Sequence, residues 1–283
     1  MMNFDMKKII QVLVVFTTII AGCNKTNENI QDDNLIVVEA YLYANDSVNK
    51  IHLSKTIPFS SSDTVFENVT DANVYILSNG TKYPLEHSGE GIYKCLDTNL
   101  KIIEGNLYKL QIEYNGSITT AETYVPSKPE NISLSKSLIY VNSYFRPVRP
   151  DEGVEDTNRI EITWDNPNND YFYVLIENLE DNPEDITSGF SIPNDGGRRM
   201  NFRFLSMPFM TNRYSITPFM SVRQYGRHRA RIFKVNLEYA NLYENRVQDS
   251  RNLTEPISNI NNGLGIFTAF SYEDVYFTVL KTE

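Results

Sequence analysis

The sequence predicts a mostly β protein with two consecutive β-sandwich units behind an N-terminal export signal. Three features support this prediction. Short runs rich in Val, Ile, Thr, Tyr and Phe recur between turn residues, as is typical of strands. Two pairs, Asn79-Gly80 and Asn115-Gly116, each separate two such runs, and Asn-Gly is the strongest short signal for a hairpin. A proline-containing segment near residue 126 divides the runs into two groups.

Residues 1–22 have the organisation of a signal peptide. The basic pair Lys7-Lys8 precedes an apolar run, 9–20, that is shorter than the ~20 residues a membrane-spanning helix needs. A charged start, a short apolar core and small residues at the end are typical of a secretory signal. The end resembles a bacterial lipobox, formed by Ile20, Ala21, Gly22 and Cys23. We therefore expect cleavage before Cys23 and acylation of its thiol; the alternative is an ordinary signal peptide with a chance cysteine.

An acylated Cys23 would hold the protein on a membrane. One acyl chain binds a bilayer only marginally, whereas two or more anchoring signals make the attachment stable. Residues 23–33 are polar and lack a core pattern, so we expect them to form a flexible tether. No later segment approaches transmembrane length, and we therefore expect nothing after Cys23 to cross the membrane.

Charge and cysteine content exclude several function classes. The formal net charge is −10, and it becomes −11 without residues 1–22, which contain two bases and one acid. This acidic balance argues against nucleic-acid binding, which needs a basic surface. With Cys23 lipidated, Cys95 is left alone, so we expect neither a disulfide nor a cysteine metal cluster. Cys95 lies in an alternating strand-like run and is expected to be a buried, inert thiol.

Residues 34–126 are predicted to form an immunoglobulin-like β-sandwich, because about seven short strand-like runs follow one another at regular spacing. These runs are 35–42, 51–53, 73–77, 82–85, 91–95, 107–114 and 117–125. The segment 125–129, Val-Pro-Ser-Lys-Pro, cannot continue a central strand and marks the end of this unit.

Residues 130–283 are predicted to form a second β-sandwich-like unit with a short helix. Two runs are typical of a fibronectin-type-III-like domain: 160–164, which ends in Trp164, matches its Trp-bearing strand, and 171–176 matches the strand that follows. Further strands are expected at 213–218, 230–235 and 275–279. Apolar residues between 236 and 248 are spaced as on a helix.

Several motifs are shared with one family of lipoproteins. They are the lipobox, Val-Val-Glu-Ala at 37–40, Asp-Ala-Asn-Val-Tyr at 71–75, Gly-Ile-Tyr at 91–93, Val-Pro at 125–126 and the segment 255–267, which ends Asn-Asn-Gly-Leu-Gly-Ile-Phe. On these motifs the chain resembles a Bacteroidota outer-membrane lipoprotein family catalogued as domain of unknown function 4249. The resemblance covers nearly the whole mature chain and is most specific in 255–267. There we expect Gly263-Leu264-Gly265 to form a tight turn where backbones approach closely.

The resemblance implies an outer-membrane lipoprotein, often encoded near TonB-dependent receptors, and it supplies no reaction or catalytic residues. Acidic residues after the lipid cysteine also resemble the surface-export signal of such lipoproteins, so we expect the body to face the cell exterior. The protein would then act by binding, as an accessory to nutrient uptake through such a receptor. The alternative is an adhesin or fimbria-associated structural subunit, since tethered tandem sandwiches suit that role too.

Catalytic signatures are not evident in the sequence. The three histidines, His52, His87 and His228, stand alone, without the spacing of metal ligands. A nucleophile elbow, a phosphate loop and a dinucleotide fingerprint are also not found, so we expect no cofactor, no metal and no catalytic residue. Carboxylates are plentiful, which leaves a glycosidase pair open, although nothing selects two of them.

One long stretch has an unusual charge pattern. Residues 196–237 contain no acid but nine bases, interleaved with aromatics and methionines, whereas 151–185 contain twelve acids and one base. Two interpretations remain open: the two segments neutralise each other inside one sandwich, or the arginines meet an anionic glycan, a lipid phosphate or the receptor. Alternation would place Arg227, Arg229 and Arg231 on one strand face. The candidate partner surface comprises Arg223, Tyr225, Arg227, Arg229 and Arg231.

Overall fold

The computed structural model describes residues 35–57, 66–142, 159–186, 194–195, 198–244 and 258–282, with only the backbone for 194–195, 198–199 and 244. The predicted signal peptide, Cys23 and the tether lie outside these residues. The described chain is mostly β, which confirms the predicted fold class. Within the ranges just given, no helix combines the length and the apolar character needed to cross a membrane.

The first unit is a sheet that folds over one hydrophobic core. Its strands are β1 (Ile36–Tyr43), β2 (Ile51–Lys55), β3 (Asn73–Ser78), β4 (Thr81–Gly89), β5 (Ile92–Lys94), β6 (Leu107–Tyr114) and β7 (Ser117–Tyr124). All seven predicted runs correspond to strands. β4 turns the corner, since its first half pairs with β3 and its second half with β5. Alternation along β1 buries Val38, Ala40 and Leu42 in this core and leaves Tyr41 and Tyr43 on the opposite face.

Both Asn-Gly pairs form the predicted hairpin turns. Asn79 and Gly80 have φ of 49° and 78°, and Asn115 and Gly116 have φ of 48° and 77°. Two successive residues with positive φ match the right-handed twist of the flanking strands, and Asn and Gly tolerate that conformation best. The turns connect β3 to β4 and β6 to β7.

The second unit has two layers around a second core. The elements that follow β7 along the chain are β8 (Ser133–Leu134), β9 (Leu138–Val141), β10 (Ile160–Thr163), β11 (Tyr171–Asn178), β12 (Asn194–Asp195), β13 (Arg198–Arg199), β14 (Arg203–Leu205), β15 (Arg213–Ile216), β16 (Gly226–Val235), α1 (Leu237–Glu244), β17 (Ile260–Asn261) and β18 (Leu264–Lys281). One layer is β15-β10-β8 and the other contains β14, β11, β16, β18 and β9. Trp164, directly after β10, packs between them on Phe172 and Phe209, with ring centroids 5.3 and 5.9 Å away.

β18 belongs to both units. Its first part pairs in parallel with β1, from Val37↔Leu264 to Tyr43↔Phe270. Its later part pairs antiparallel with β16, and its end pairs with β9. Within the described ranges this strand joins both units into one path, β14-β11-β16-β18-β1-β2-β5-β4-β3-β6-β7-β17.

The segment 260–270 therefore completes the first unit, although the sequence assigned all of 130–283 to the second. Ile260, Phe267 and Ala269 are buried in the first core, and β17 pairs with β7. The physical reason is that the edge of β1 needs a hydrogen-bonded neighbour. That neighbour comes from more than 200 residues further along the chain.

The turn between β17 and β18 contains the most specific family motif. Asn259 holds the backbone of Phe267, because its side chain donates to the carbonyl oxygen over 2.6 Å and accepts from the amide over 3.0 Å. Gly265 has φ of 105°, and a Cβ added there would overlap the carbonyl oxygen of Val38. The close backbone approach predicted for this glycine segment is thereby confirmed. The turn itself is formed by Asn262 and Gly263, whereas Leu264 and Gly265, which were predicted to be part of it, already belong to β18.

An aromatic cluster fills the junction between the units. Tyr173 stacks on Phe233 with centroids 4.4 Å apart, and Tyr43 lies 5.3 Å from Phe270. Tyr239 of α1 packs edge-on against Phe270 at 4.8 Å. Burial raises the pKa values of Tyr173 and Tyr239, so both hydroxyls stay protonated. The predicted helix at 236–248 is present as Leu237–Glu244, and 245–257 lie outside the described residues.

Polar contacts tie α1 and the residue before it to the first unit. The Glu238 carboxylate accepts hydrogen bonds from Thr123 of β7 and Thr268 of β18, each over 3.1 Å. Asn236 donates to the carbonyl oxygen of Tyr124 over 2.7 Å. Ser271, fully buried, donates to the carbonyl oxygen of Ser127 over 2.8 Å, so the proline segment between the units is also fixed to β18.

We expect Gly265→Ala to lower the free energy of unfolding by about 3 kcal/mol or more. The new methyl group would overlap the β1 backbone, and an L-residue at this φ is strained by a further 1–3 kcal/mol or so. Gly80→Ala is the matched control, because its φ is also positive but open space surrounds it, so it should lose only about 1–2 kcal/mol. Urea unfolding measures both, and equal losses would contradict the close approach.

Candidate functional site

β16 places the candidate arginines on the outer face of the second unit. Arg227, Arg229 and Arg231 alternate with residues that face the second core, including Ala230 and Ile232. The neighbours of β16 are β11 and β18, so side chains from three strands share this outer face. The predicted common face of the three arginines is confirmed.

Two carboxylates from the flanking strands pair with Arg229 and Arg231. Arg231 binds Asp274 of β18 in a two-point geometry, with Nε to Oδ1 at 2.7 Å and Nη2 to Oδ2 at 2.8 Å. Arg229 donates through Nη2 to Glu177 of β11 over 2.5 Å, and its Nη1 lies 3.8 Å from Asp274. Hydrogen bonding to Asp274 raises the pKa of Arg231 above its usual value. The interpretation that this segment is neutralised by residues 151–185 is confirmed for Arg229, through Glu177. Arg231 is also neutralised within the fold, but by Asp274, which lies outside that acidic segment.

A third arginine, Arg203 of β14, reaches the other oxygen of Glu177 over 2.8 Å. The two carboxylate side chains are only 15% and 19% exposed, whereas that of Arg203 is 66% exposed. The guanidinium groups therefore cover the acids, and solvent meets mainly positive charge. We call this set the arginine ladder; its members are Arg203, Arg227, Arg229, Arg231, Glu177 and Asp274.

Two tyrosines of β18 support the ladder. The guanidinium of Arg231 lies 3.8 Å from the ring centroid of Tyr272, and that of Arg227 lies 5.0 Å from the ring centroid of Tyr276. Cations over aromatic faces are attracted by the ring quadrupole. These contacts place the guanidinium groups of Arg227 and Arg231 against aromatic rings on the same sheet face.

Arg223 and Tyr225 do not belong to this face, which corrects the predicted surface. Tyr225 is 8% exposed, packs in the second core and donates its hydroxyl to the carbonyl oxygen of Val141 over 3.2 Å. Gly226 has φ of 102°, so the alternation that presents Arg227 outward does not extend back to Tyr225. The guanidinium of Arg223 lies over the ring of Phe202, 4.9 Å from its centroid.

Sequence reasoning singled out the acidic segment that contains Glu177, but it missed Asp274 and the aromatic members of the face. Glu177 and Asp274 face the arginines only because β11 and β18 flank β16, and strand order cannot be read from local patterns. Asp274 lies outside the acidic segment 151–185 that the charge pattern singled out. The alternation of Tyr272, Asp274 and Tyr276 along one strand is the one available signal.

His228 points from the same strand into the second core. It is 1% exposed, and its ring stacks on Phe277 with centroids 5.1 Å apart. Its ring nitrogens contact the carbonyl oxygen of Gly226 at 3.0 Å and the side-chain amide of Asn178 at 3.2 Å. Burial lowers the pKa of His228 from 6.5 to about 4, so the ring is neutral at pH 7.

Among the described residues, the other side chains that could bind a metal or act as a nucleophile do not form a site. No three of the His, Cys, Asp and Glu side chains described form a group that could hold a metal ion. Cys95 is half-buried against the first core, and burial raises the pKa of its thiol, which disfavours the nucleophilic thiolate. The predicted lipobox residues Ile20, Ala21, Gly22 and Cys23 lie outside the described residues.

A family model described as domain of unknown function (DUF4249) matches residues 25–274. The chain belongs to this family. The match spans both units of the DUF4249 protein, the arginine ladder and the β17–β18 turn. A comparison with curated proteins finds no match.

We expect Arg231→Ala to destabilise the DUF4249 fold by about 2 kcal/mol. The substitution leaves Asp274, which is poorly exposed, without its two-point partner. The expected loss of stability therefore lies between the loss for an exposed ion pair and the loss for a fully buried one. Arg227→Ala should cost less than about 1 kcal/mol, because its exposed guanidinium contacts only the Tyr276 ring among the described side chains. Thermal melts of the two variants test this contrast. A large loss in Arg227→Ala would mean that this arginine too serves only the fold.

We expect the DUF4249 protein to lose stability as pH falls from 6.5 towards 4. The pKa of His228 is lower in the folded state, so the unfolded state binds more protons in this window and acid favours unfolding. The stabilisation is complete above pH 6.5 and roughly 3 kcal/mol is lost by pH 4. His228→Gln should flatten this pH dependence in urea unfolding, whereas exposed His87→Gln should keep it. Equal slopes in the two variants would contradict the assignment.

Proposed function

We propose that this DUF4249 protein is a lipid-anchored outer-membrane protein that faces the cell exterior and acts by binding, as an accessory to a TonB-dependent nutrient-uptake receptor. The observation that supports this most directly is the signal sequence that ends Ile20-Ala21-Gly22-Cys23 and continues into a polar tether. The family resemblance supports the receptor association. The exposed arginine ladder supports binding, because Arg and Tyr side chains are enriched at interaction surfaces.

Tethering changes how such a protein meets its partner. Residues 23–33 span at most about 40 Å when fully extended, so the body stays close to the membrane surface. A receptor in the same membrane would then encounter the binding surface at a high effective concentration. A modest intrinsic affinity is enough under these conditions, and no enclosed ligand pocket is required.

A structural role as an adhesin or fimbria-associated subunit is the second candidate. One feature favours it: β18 runs through both units without interruption, and the aromatic cluster locks their junction. A continuous strand transmits tension between the units, which a load-bearing subunit needs. Neighbouring genes and co-purifying proteins separate the two candidates, since uptake requires a receptor and adhesion requires surface-fibre subunits.

We expect Cys23→Ala to abolish lipidation. The thiol is the acylation site in the lipobox interpretation, so the variant should incorporate no alkyne fatty acid in metabolic labelling and should leave the membrane fraction. Cys95→Ala is the matched control and should keep its label, because Cys95 packs against the first core. Label that persists in Cys23→Ala would refute the anchor. Which side of the membrane the body faces is tested separately by adding protease to intact cells: full protection of the protein would mean that it lies on the periplasmic side.

A further inference from the structure

The arginine ladder has more positive charge than the fold itself neutralises. It contains four guanidinium groups and two carboxylates, and both carboxylates already accept two guanidinium contacts each. Among the described residues, no carboxylate lies within ion-pair distance of the Arg227 side chain. Within the ladder, two positive charges are therefore not matched by its own carboxylates, in a chain whose formal net charge is −10. The nearby Glu180 carboxylate accepts from the backbone amide of Arg227 over 2.8 Å.

The excess charge lies on the two exposed members of the ladder, Arg203 of β14 and Arg227 of β16. Arg229 lies in the cross-strand row of Arg203 and Glu177, and Arg231 lies two residues further along β16, away from Arg227; both are largely covered. β11 separates β14 from β16, so two neighbour spacings of about 4.8 Å lie between the two strands. The backbone positions that carry the two exposed guanidiniums are therefore separated by about 10 Å or more across the sheet.

We infer that the arginine ladder binds a carboxylate-bearing polysaccharide. A planar guanidinium fork matches a carboxylate in two-point fashion, as Arg231 does with Asp274 in the same ladder. An extended polymer with regularly repeated carboxylates can occupy both exposed arginines at once, and each contact raises the effective concentration for the other. This inference names a ligand class for the binding protein proposed above and therefore rests on that proposal.

The shape and composition of the face favour a polysaccharide over other anions. Small-molecule sites are concave, whereas this ladder lies on an open sheet face. Stable protein interfaces have a mainly apolar centre. Here the centre is the ion-paired Arg229 and Glu177, and the exposed apolar side chains lie around it: Leu179, Leu205 and Tyr276, which are 39%, 51% and 45% exposed. The partly exposed Tyr276 ring and the exposed guanidinium donors suit a hydroxyl-rich chain with spaced charges.

The acidic remainder of the protein does not prevent this binding. At physiological ionic strength the Debye length is about 8 Å, so a bound polymer interacts mainly with the charges directly beneath it. Its affinity should nevertheless fall as salt rises, because the contacts to exposed arginines are screened.

The test is to measure binding of the detergent-purified full chain to polygalacturonate, with neutral dextran, dextran sulfate and polyglutamate as comparison probes. We expect binding to polygalacturonate and none to dextran. Arg227→Ala should weaken binding at least fivefold, and Arg203→Ala with Arg227→Ala at least twentyfold. Arg213→Ala is the matched control: it removes one exposed arginine from β15, on the other layer of the same unit, and should change affinity less than twofold.

Each other outcome would overturn the inference. Equal losses in Arg213→Ala and Arg227→Ala would show that net charge matters and the ladder does not. If dextran sulfate binds more tightly than polygalacturonate, the ligand carries sulfate and not carboxylate groups. If polyglutamate binds more tightly than polygalacturonate, the partner is an acidic protein. Absence of binding to every probe would reject a glycan ligand. Lipid labelling and protease accessibility do not depend on these results, so the anchored binding protein can stand while the ligand class fails.

Discussion

The pairing of β18 with both β1 and β16 is the constraint on which the rest of the structure depends. A sandwich needs its edge strands hydrogen-bonded or covered, and the first unit obtains its last strands from the C-terminal end of the chain. Gly265 makes this pairing possible, because any side chain there would overlap the β1 backbone. The most specific family motif is thus explained by packing, and it needs no role in binding or catalysis.

The same strand also organises the outer face of the second unit. Tyr272, Asp274 and Tyr276 alternate along β18 and present two rings and one carboxylate to the arginines of β16. Glu177 of β11 completes the pairing from the other side. The guanidinium groups lie over these acids and shield them from solvent. The outermost charges are therefore arginines, whose guanidinium groups are more weakly hydrated than the ammonium group of lysine. An acidic protein can therefore present a locally basic face.

Local chemistry made much of the fold predictable. Asn-Gly turns require positive φ, and strand runs require alternation, so the seven strands of the first unit and both hairpins follow from short windows of sequence. Pairing between distant segments was not predictable. The partner of β1 lies more than 200 residues away, and the acid that binds Arg231 lies 43 residues away. Tyr225 was misplaced because one glycine interrupts the alternation on which its assignment depended.

The aromatic cluster has a consequence for how an anchored protein would present its surface. Tyr43 of β1, Phe233 of β16 and Phe270 of β18 are packed together, and α1 covers them from one side. A hinge between the units would have to separate these rings and break the strand that both units share, so bending there is costly. The arginine ladder is therefore held in a fixed orientation relative to β1, the first strand after the predicted tether. Reorientation of the ladder towards a partner would therefore require movement of the whole body about the segment before β1, and not bending between the two units.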